Sequence, residues 1–300
     1  MDQPMAGVLG TALAVCAAAA FGGSSVLQYR AGRKVPPERV GRPRLLLHLL
    51  REPAWRWSVL LALVAFGLQV AALELLPLIF VQPVLVTGLL WYIALAALAA
   101  HRRPDRLVVA GAALCIAGLS GFLLLARPTA GAGQGLDSPA SAVTLLAAVT
   151  VAVGACVAAA RFVSPQWRPL PPALAAGICY GTTAGLLSSA TATFPQGFLA
   201  TMGRWEPYAI TVLGPSGVLF SQNAFQAGPV GALALATMTA MDPLVSIAIG
   251  LVWLDERIGA TPWAIAGEIA ALAVLTGAIV LLAHHAPHVR AAPPRDRPPD

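Results

Sequence analysis

Residues 57–99 read WSVLLALVAFGLQVAALELLPLIFVQPVLVTGLLWYIALAALA, with Leu76–Pro77 near the centre. Apart from Gln69, Glu74, Gln82 and the hydroxyls of Ser58 and Thr87, the stretch is essentially apolar. A single helix over it would be about 65 Å long, roughly twice the hydrocarbon thickness of a bilayer. Two helices meeting at the proline corner, 57–76 and 78–99, each have about the 20 residues a crossing needs. The same reasoning divides 207–254, where two apolar runs meet at Gly228–Pro229.

Extended along the chain, the pattern predicts nine transmembrane helices at 6–28, 57–76, 78–99, 107–126, 141–160, 171–193, 207–226, 229–254 and 262–283. The fold class expected is therefore all-α and polytopic. Composition agrees: 58% of residues are hydrophobic and only 11% charged, against roughly 45–50% and about 25% in soluble domains. The first run is expected to stay in the membrane. Met1-Asp2-Gln3-Pro4-Met5 has no basic region, and the run exceeds the roughly 7–15 residues of a signal-peptide core.

The net charge of +6 does not point to nucleic acid. Every Arg and the single Lys34 lie between or beyond the apolar runs, and no basic stripe is interleaved with aromatics. Cys16, Cys115, Cys156 and Cys179 each sit inside an apolar run without metal or redox spacing, and read as small packing residues. With the N-terminus outside, the inner segments 30–56, 101–106, 161–168 and 290–297 hold 8, 3, 2 and 3 basic residues. The outer segments hold only Arg127, Arg204 and Arg257. This positive-inside bias favours nine crossings in the cell membrane, with the C-terminus cytoplasmic.

The chain also repeats itself at an offset of 158–160 residues. Phe21-Gly22-Gly23-Ser24 returns as Tyr180-Gly181-Thr182-Thr183, Gln82-Pro83 as Asp242-Pro243, Arg103-Pro104 as Thr261-Pro262, and Ala117-Gly118 as Thr276-Gly277. Spans two and seven pair better at 152, where Glu74-Leu-Leu-Pro77 answers Gln226-Ala-Gly-Pro229. The organisation expected is a first four-helix repeat over 1–126 with a basic cytoplasmic loop at 29–56, then an outer loop and linking helix over 127–170. A second four-helix repeat follows over 171–283, with a disordered cytoplasmic tail over 284–300. One linking span between two four-span units makes the repeat inverted, the architecture of alternating access around a midplane site.

Phe21-Gly22-Gly23-Ser24-Ser25, Leu75-Leu76-Pro77-Leu78 running into Val81-Gln82-Pro83-Val84, and Ala224-Phe225-Gln226-Ala227-Gly228-Pro229 resemble the drug/metabolite transporter superfamily. Asp242-Pro243-Leu244-Val245 followed by Trp253-Leu254-Asp255-Glu256-Arg257 is similar to the proline helix and acidic corner of its EamA-type repeat. The nine-span count and the glycine-serine run resemble the NIPA-like magnesium-transporter branch. The resemblance covers roughly 6–283 and implies transport of a small solute, or of magnesium if the nine-span branch is the guide.

Three acids fall inside predicted spans: Asp242, Glu74 and Glu268. A carboxylate in hydrocarbon faces a wet cavity or a partner, and no Lys, Arg or His lies in a span to neutralise one. Each is then a proton-coupling or cation-binding group, or a protonated carboxyl bonded to a neighbouring helix. Pro83 and Pro243 kink their helices and free the carbonyls of Ile79 and Thr239. The candidate binding residues are Asp242, Glu74, Gln82, Gln69, Asn223, Gln226 and Thr239, with Ser221 and Gln222 in the same polar cluster. Gly177, Gly181 and Gly185, like Gly10, Ala14, Ala18 and Gly22, have the four-residue spacing of close helix packing. Ser24, Ser25, Thr182 and Thr183 either line a cavity or bond to backbone carbonyls.

The functional expectation is a secondary transporter for a small metabolite or drug-like solute, with proton coupling as one option. A divalent-cation transporter, magnesium first, is the alternative. A membrane lipid enzyme ranks last, since neither HExxH nor a Ser/His arrangement lies in or beside a span, and no GxxxxGK[ST] loop supports a pump. No catalytic residue, cofactor or assigned metal ligand is expected; His284, His285 and His288 belong to the tail. The expected partners are the solute or cation and the lipid bilayer, with a homodimer left open. The topology is tested by labelling single cysteines on intact cells. Positions near 132 and 200 should react and 35 and 290 should not; reaction at both 35 and 132 overturns the nine-span count.

Overall fold

The structure, a computed structural model, describes residues 3–35, 42–75, 81, 84–101, 103–126, 138–192, 198–227, 231–253 and 262–285. Among these residues there is no strand. The long helices are α1 (Gln3–Lys34), α3 (Pro53–Leu75), α4 (Gly88–Ala99), α5 (Arg106–Ala126), α6 (Pro139–Ala159), α7 (Leu170–Ala192), α9 (Glu206–Ala227), α10 (Gly231–Trp253) and α11 (Pro262–His285). Two short ones, α2 (Arg44–Arg51) and α8 (Phe198–Met202), lie between them. Seven segments are long and apolar enough to cross a bilayer: Gly7–Lys34, Pro53–Ala72, Arg106–Leu125, Pro139–Ala159, Pro165–Leu187, Gly231–Trp253 and Trp263–Leu282. The chain is thus an all-helical, polytopic membrane protein. The helix Val84–Ala99 is apolar but shorter. Glu206–Ala227 has the length, but Ser221, Gln222, Asn223 and Gln226 make it more polar than the seven.

Local chemistry sets the helix ends. Ser138 caps α6 by accepting from the Ser141 N–H at 3.1 Å, with Pro139 following. The Asp105 carboxylate accepts from the Leu107 N–H at 2.8 Å at the start of α5. α4 ends at Ala99, after which His101 takes a left-handed φ of 51° and its N–H bonds to the Leu98 carbonyl. α1 continues past its expected end at 28 to Lys34, so the segment expected as a basic loop, 29–56, contains the last turn of α1 and all of α2. Arg33 and Lys34 in that last turn favour the continuation, because cations stabilise the negative end of a helix.

Five helix pairs dominate the packing. α1 packs along α3 and α4, α7 packs along α9 and α10, and α5 packs on α11. The linking helix α6 rests on α7 and leaves Val143 and Val151 largely exposed. The main apolar core lies among α4, α5, α10 and α11, around Leu89, Ile93, Leu119, Leu233 and Leu275. Glycine makes the closest crossings. A side-chain carbon at Gly22 would stand 2.7 Å from the Gly88 carbonyl oxygen and the Tyr92 nitrogen of α4. One at Gly118 would stand 2.8 Å from the Leu275 nitrogen of α11. At Gly181 it would collide with the Asp242 carbonyl oxygen and lie 2.7 Å from the Val245 Cβ of α10. The four-residue glycine spacing in the sequence therefore corresponds to backbone-to-backbone approach.

The Leu76–Pro77 corner, Gln82, Pro83, the Gly228–Pro229 turn, the Asp255-Glu256-Arg257 corner and His288 lie outside the described residues. Gly181→Val places methyl groups where the α10 backbone already stands. Overpacking of this kind costs about 1–3 kcal/mol, so its midpoint of thermal unfolding in detergent should fall by several degrees. Gly277→Ala, with nothing within 4 Å of the added carbon, should leave the midpoint unchanged or slightly raised.

Candidate functional site

Asp242 and Pro243 sit in the middle of α10, and the helix runs through them without a break. Proline has no N–H, so the Thr239 carbonyl one turn earlier lacks that intrahelical donor. Thr239, Asp242 and Ser246 are all half-buried, one turn apart on a helix whose preceding turns are mostly buried. Gly181, next to Tyr180 in the chain, admits the Asp242 backbone to the surface of α7, and the tyrosine and the carboxyl are near enough to interact electrostatically. Tyr180 lies on α9 at Gly217, where an added carbon would stand 2.6 Å from the ring. Its hydroxyl donates to Ser221 Oγ at 3.3 Å, and Ser221 donates in turn to the Val218 carbonyl at 2.8 Å. Three helices thus converge on one carboxyl and two hydroxyls.

That arrangement can bind a polar group and exchange a proton with it. Tyr180 and Ser221 are each donor and acceptor, and Asp242 accepts when ionised and donates when protonated. Among the described residues no hydrogen bond or ion pair occupies the Asp242 carboxyl. No group of three or more His, Cys, Asp or Glu is placed to hold a metal ion among those residues. A surface recess of about 530 Å³ is lined by Gly7, Val8, Thr11 and Ala12 at the start of α1. A smaller one of about 150 Å³ is lined by Gly32, Arg33, Val35 and Gln226. Neither is lined by Asp242, and the larger one carries only the Thr11 hydroxyl, already bonded to the Gly7 carbonyl.

The other sequence candidates divide. Gln69 is half-buried on α3. Glu74 belongs to the last turn of α3, with its side chain outside the described residues, as are Gln82 and Pro83. Asn223 is buried in α9. Gln226 does not join Asp242: it donates to the Gly32 carbonyl of α1 at 3.0 Å. Glu268 lies on α11 beside Gly267, which packs on Leu125 of α5, and one of its carboxyl oxygens is buried without a partner. Ser25, Thr182 and Thr183 bond to carbonyls of their own helices, and Ser24 bonds across to the Ser58 carbonyl of α3 at 2.8 Å.

Sequence reasoning passed over a second acidic site. Glu206, placed between spans in the sequence, begins α9 and is fully buried. Arg204 Nε and Nη2 donate to Glu206 Oε1 at 2.9 and 2.5 Å, and Ser189 Oγ of α7 donates to the same oxygen at 3.2 Å. The carboxylate also stands at the positive end of α9. The only sequence signal for it was an Arg and a Glu two residues apart next to the apolar run. Tyr180 was visible only as the repeat partner of Phe21, its hydroxyl unremarked.

Over 277 residues the chain is 28% identical to an uncharacterized protein of Corynebacterium glutamicum, covering 91% of this chain and 94% of that one. No family profile matches it, and no solved structure does.

Arg204→Met removes the guanidinium and leaves the Glu206 carboxylate buried with only the Ser189 hydroxyl. Breaking a buried pair on one side costs about 3–5 kcal/mol, and partial exposure of the arginine puts the expectation near the lower figure. Thermal unfolding in detergent should show a larger fall for Arg204→Met than for Arg204→Met combined with Glu206→Gln.

Proposed function

We propose that the chain is a secondary transporter that moves a small metabolite or drug-like solute by alternating access, with Asp242 as its binding and coupling group. The carrying observation is an acid in mid-helix at the Gly181 crossing of α7 and α10, where the adjoining Tyr180 bonds to Ser221 of α9. A permanently structural acid in a membrane helix is expected to be bonded to its neighbours. Among the described residues, this one has no hydrogen bond or ion pair on its carboxyl.

The helix pairing supports the nine-span inverted repeat that such a mechanism uses. Under the sequence repeat, α1, α3, α4 and α5 correspond to α7, α9, α10 and α11. The pairs α1–α3 and α1–α4 then map onto α7–α9 and α7–α10, while α5–α11 maps onto itself. A pair that maps onto itself is what a two-fold axis between the halves requires. With the basic segments inside, the N-terminus is outside and the C-terminus cytoplasmic. The resemblance of Asp242-Pro243-Leu244-Val245 to the EamA-type repeat points the same way. Magnesium transport is the weaker reading, because Asp242 is the one carboxyl described at this crossing and the other groups are neutral hydroxyls.

A carboxyl that gains and loses a proton as the cavity changes sides couples a gradient to a solute. In vesicles reconstituted with the purified protein, a panel of small metabolites and drug-like solutes is screened for uptake or efflux with and without a proton gradient. Asp242→Asn keeps the shape and removes the exchangeable charge, so gradient-driven transport should fall to the empty-vesicle level while insertion and thermal stability hold. Transport at the unmutated rate with unchanged pH dependence would make Asp242 a structural carboxyl.

A further inference from the structure

We infer that Gln222 and Gln226 form the latch of a gate at the basic end of the bundle, closed in this structure, with α2 as its cover. The inference rests on the transport reading, and it is carried by contacts separate from those of Asp242. Gln222 and Gln226 are one turn apart near the end of α9, facing the last turns of α1. Gln222 Nε2 donates to Gln28 Oε1 at 2.7 Å, Gln28 Nε2 donates to Ser24 Oγ at 3.1 Å, and Ser24 donates to the Ser58 carbonyl. This relay joins α9, α1 and α3. Gln226 Nε2 donates to the Gly32 carbonyl and, at 3.5 Å, to that of Val35, taking acceptors that the end of α1 leaves free.

Aromatic contacts close the same level. Tyr29 of α1 meets Phe225 of α9 edge to face, with ring centroids 6.2 Å apart. Tyr92 of α4 reaches the Gly231 backbone at the start of α10. Each of these contacts joins a helix of the first half to one of the second. Ser221, which holds Tyr180, immediately precedes Gln222, so the latch lies directly on the basic-end side of the candidate site.

The latch is chemically incomplete. Gln222 is wholly buried, and its Oε1 and that of Gln226 have no donor among the described residues. The amide orientations are fixed, because each nitrogen already faces an oxygen acceptor. Buried polar atoms are normally satisfied, and these two unsatisfied oxygens lie one turn apart on the same seam. Water admitted on opening would donate to both and replace the broken bonds. The open seam is then close in free energy to the closed one, which is the requirement for a gate.

Helix α2 covers this seam. Leu45 and Leu49 are fully buried against Ala31 and Val35 of α1, Trp55 of α3 and Leu219 of α9. Leu219 is three residues before Gln222 on α9, so a displaced α9 end unseats the cover. The outer face of α2 presents Leu47 and Leu50 between Arg44 and Arg51, a face suited to the membrane interface.

The test needs no identified solute. Cys16, Cys115, Cys156 and Cys179 are replaced, a single cysteine is introduced as Ser221→Cys, and its reaction with a membrane-impermeant maleimide is timed in vesicles with the basic end outward. Gln222→Ala with Gln226→Ala should speed labelling about tenfold or more by populating the open seam. Gln222→Met with Gln226→Met keeps the length and removes the orphan oxygens, so labelling should slow and thermal stability should rise. Thr150→Ala, exposed on α6, should leave the rate unchanged. Equal labelling in the alanine and methionine pairs, or a methionine pair less stable than the unmutated chain, would overturn the gate. Loss of the transport reading through Asp242→Asn would leave these rates unaffected, so the two failures are distinguishable.

Discussion

The crossing of α7 over α10 at Gly181 sets the level at which these two helices meet. With no side chain at Gly181, the Asp242 carbonyl approaches the α7 backbone, and two helices carrying Tyr180 and Asp242 share one level. Any larger residue would separate them. The same absence of a side chain at Gly217 seats the tyrosine ring on α9, so two glycines on two helices define the position of one hydroxyl. In lipid, where apolar burial gives little net drive between helices, close packing of this kind is the main source of association.

Seven of the nine expected spans were legible because hydrocarbon imposes a length and forbids charge, and both constraints act on contiguous sequence. Glycine spacing was legible for the same reason, as a periodic feature of one helix. Partnerships between distant segments were not. Gln226 looked like a solute ligand because an amide in a membrane span needs a partner, but its partners are carbonyls of Gly32 and Val35 on α1. Gln28 was unremarkable at the end of span one until Gln222 stood opposite it. Glu206 drew no attention at its place between runs, whereas the start of α9 folds it under Arg204 and against Ser189. Local pattern determines which residues must be satisfied, and only the fold determines by what.

On the repeat proposed from the sequence, the two halves are alike in helix pairing and unlike in chemistry. Where the first has Phe21, the second has Tyr180, and where the first has Gln82, the second has Asp242. The glycine crossings differ as well: Gly22 meets α4 between Gly88 and Tyr92, several residues past Pro83, whereas Gly181 meets α10 at Asp242 itself. On the proposed reading, the first half supplies the scaffold and the gate partner, while the second supplies the titrating group. The seam α5–α11 belongs equally to both halves, and it is built mostly from small and aliphatic residues such as Gly118, Gly111, Ala271 and Leu282.

Charge then separates the two ends of α9. At the start of α9, Glu206 Oε1 receives three donor contacts from Arg204 and Ser189. A buried charge held that way is costly to separate, since parting it strands an ion away from water. At the other end of the same helix, Gln222 and Gln226 are neutral and each makes good use of its nitrogen while leaving its oxygen idle. Parting neutral amides strands no charge, and water restores what is lost. Between the two ends, Pro215 removes one donor from the backbone ladder of α9, so on the proposed reading the weak end moves about the strong one. The Tyr180 seat at Gly217 and Ser221 lies between the two, so motion of the weak end reaches the tyrosine before it reaches Glu206.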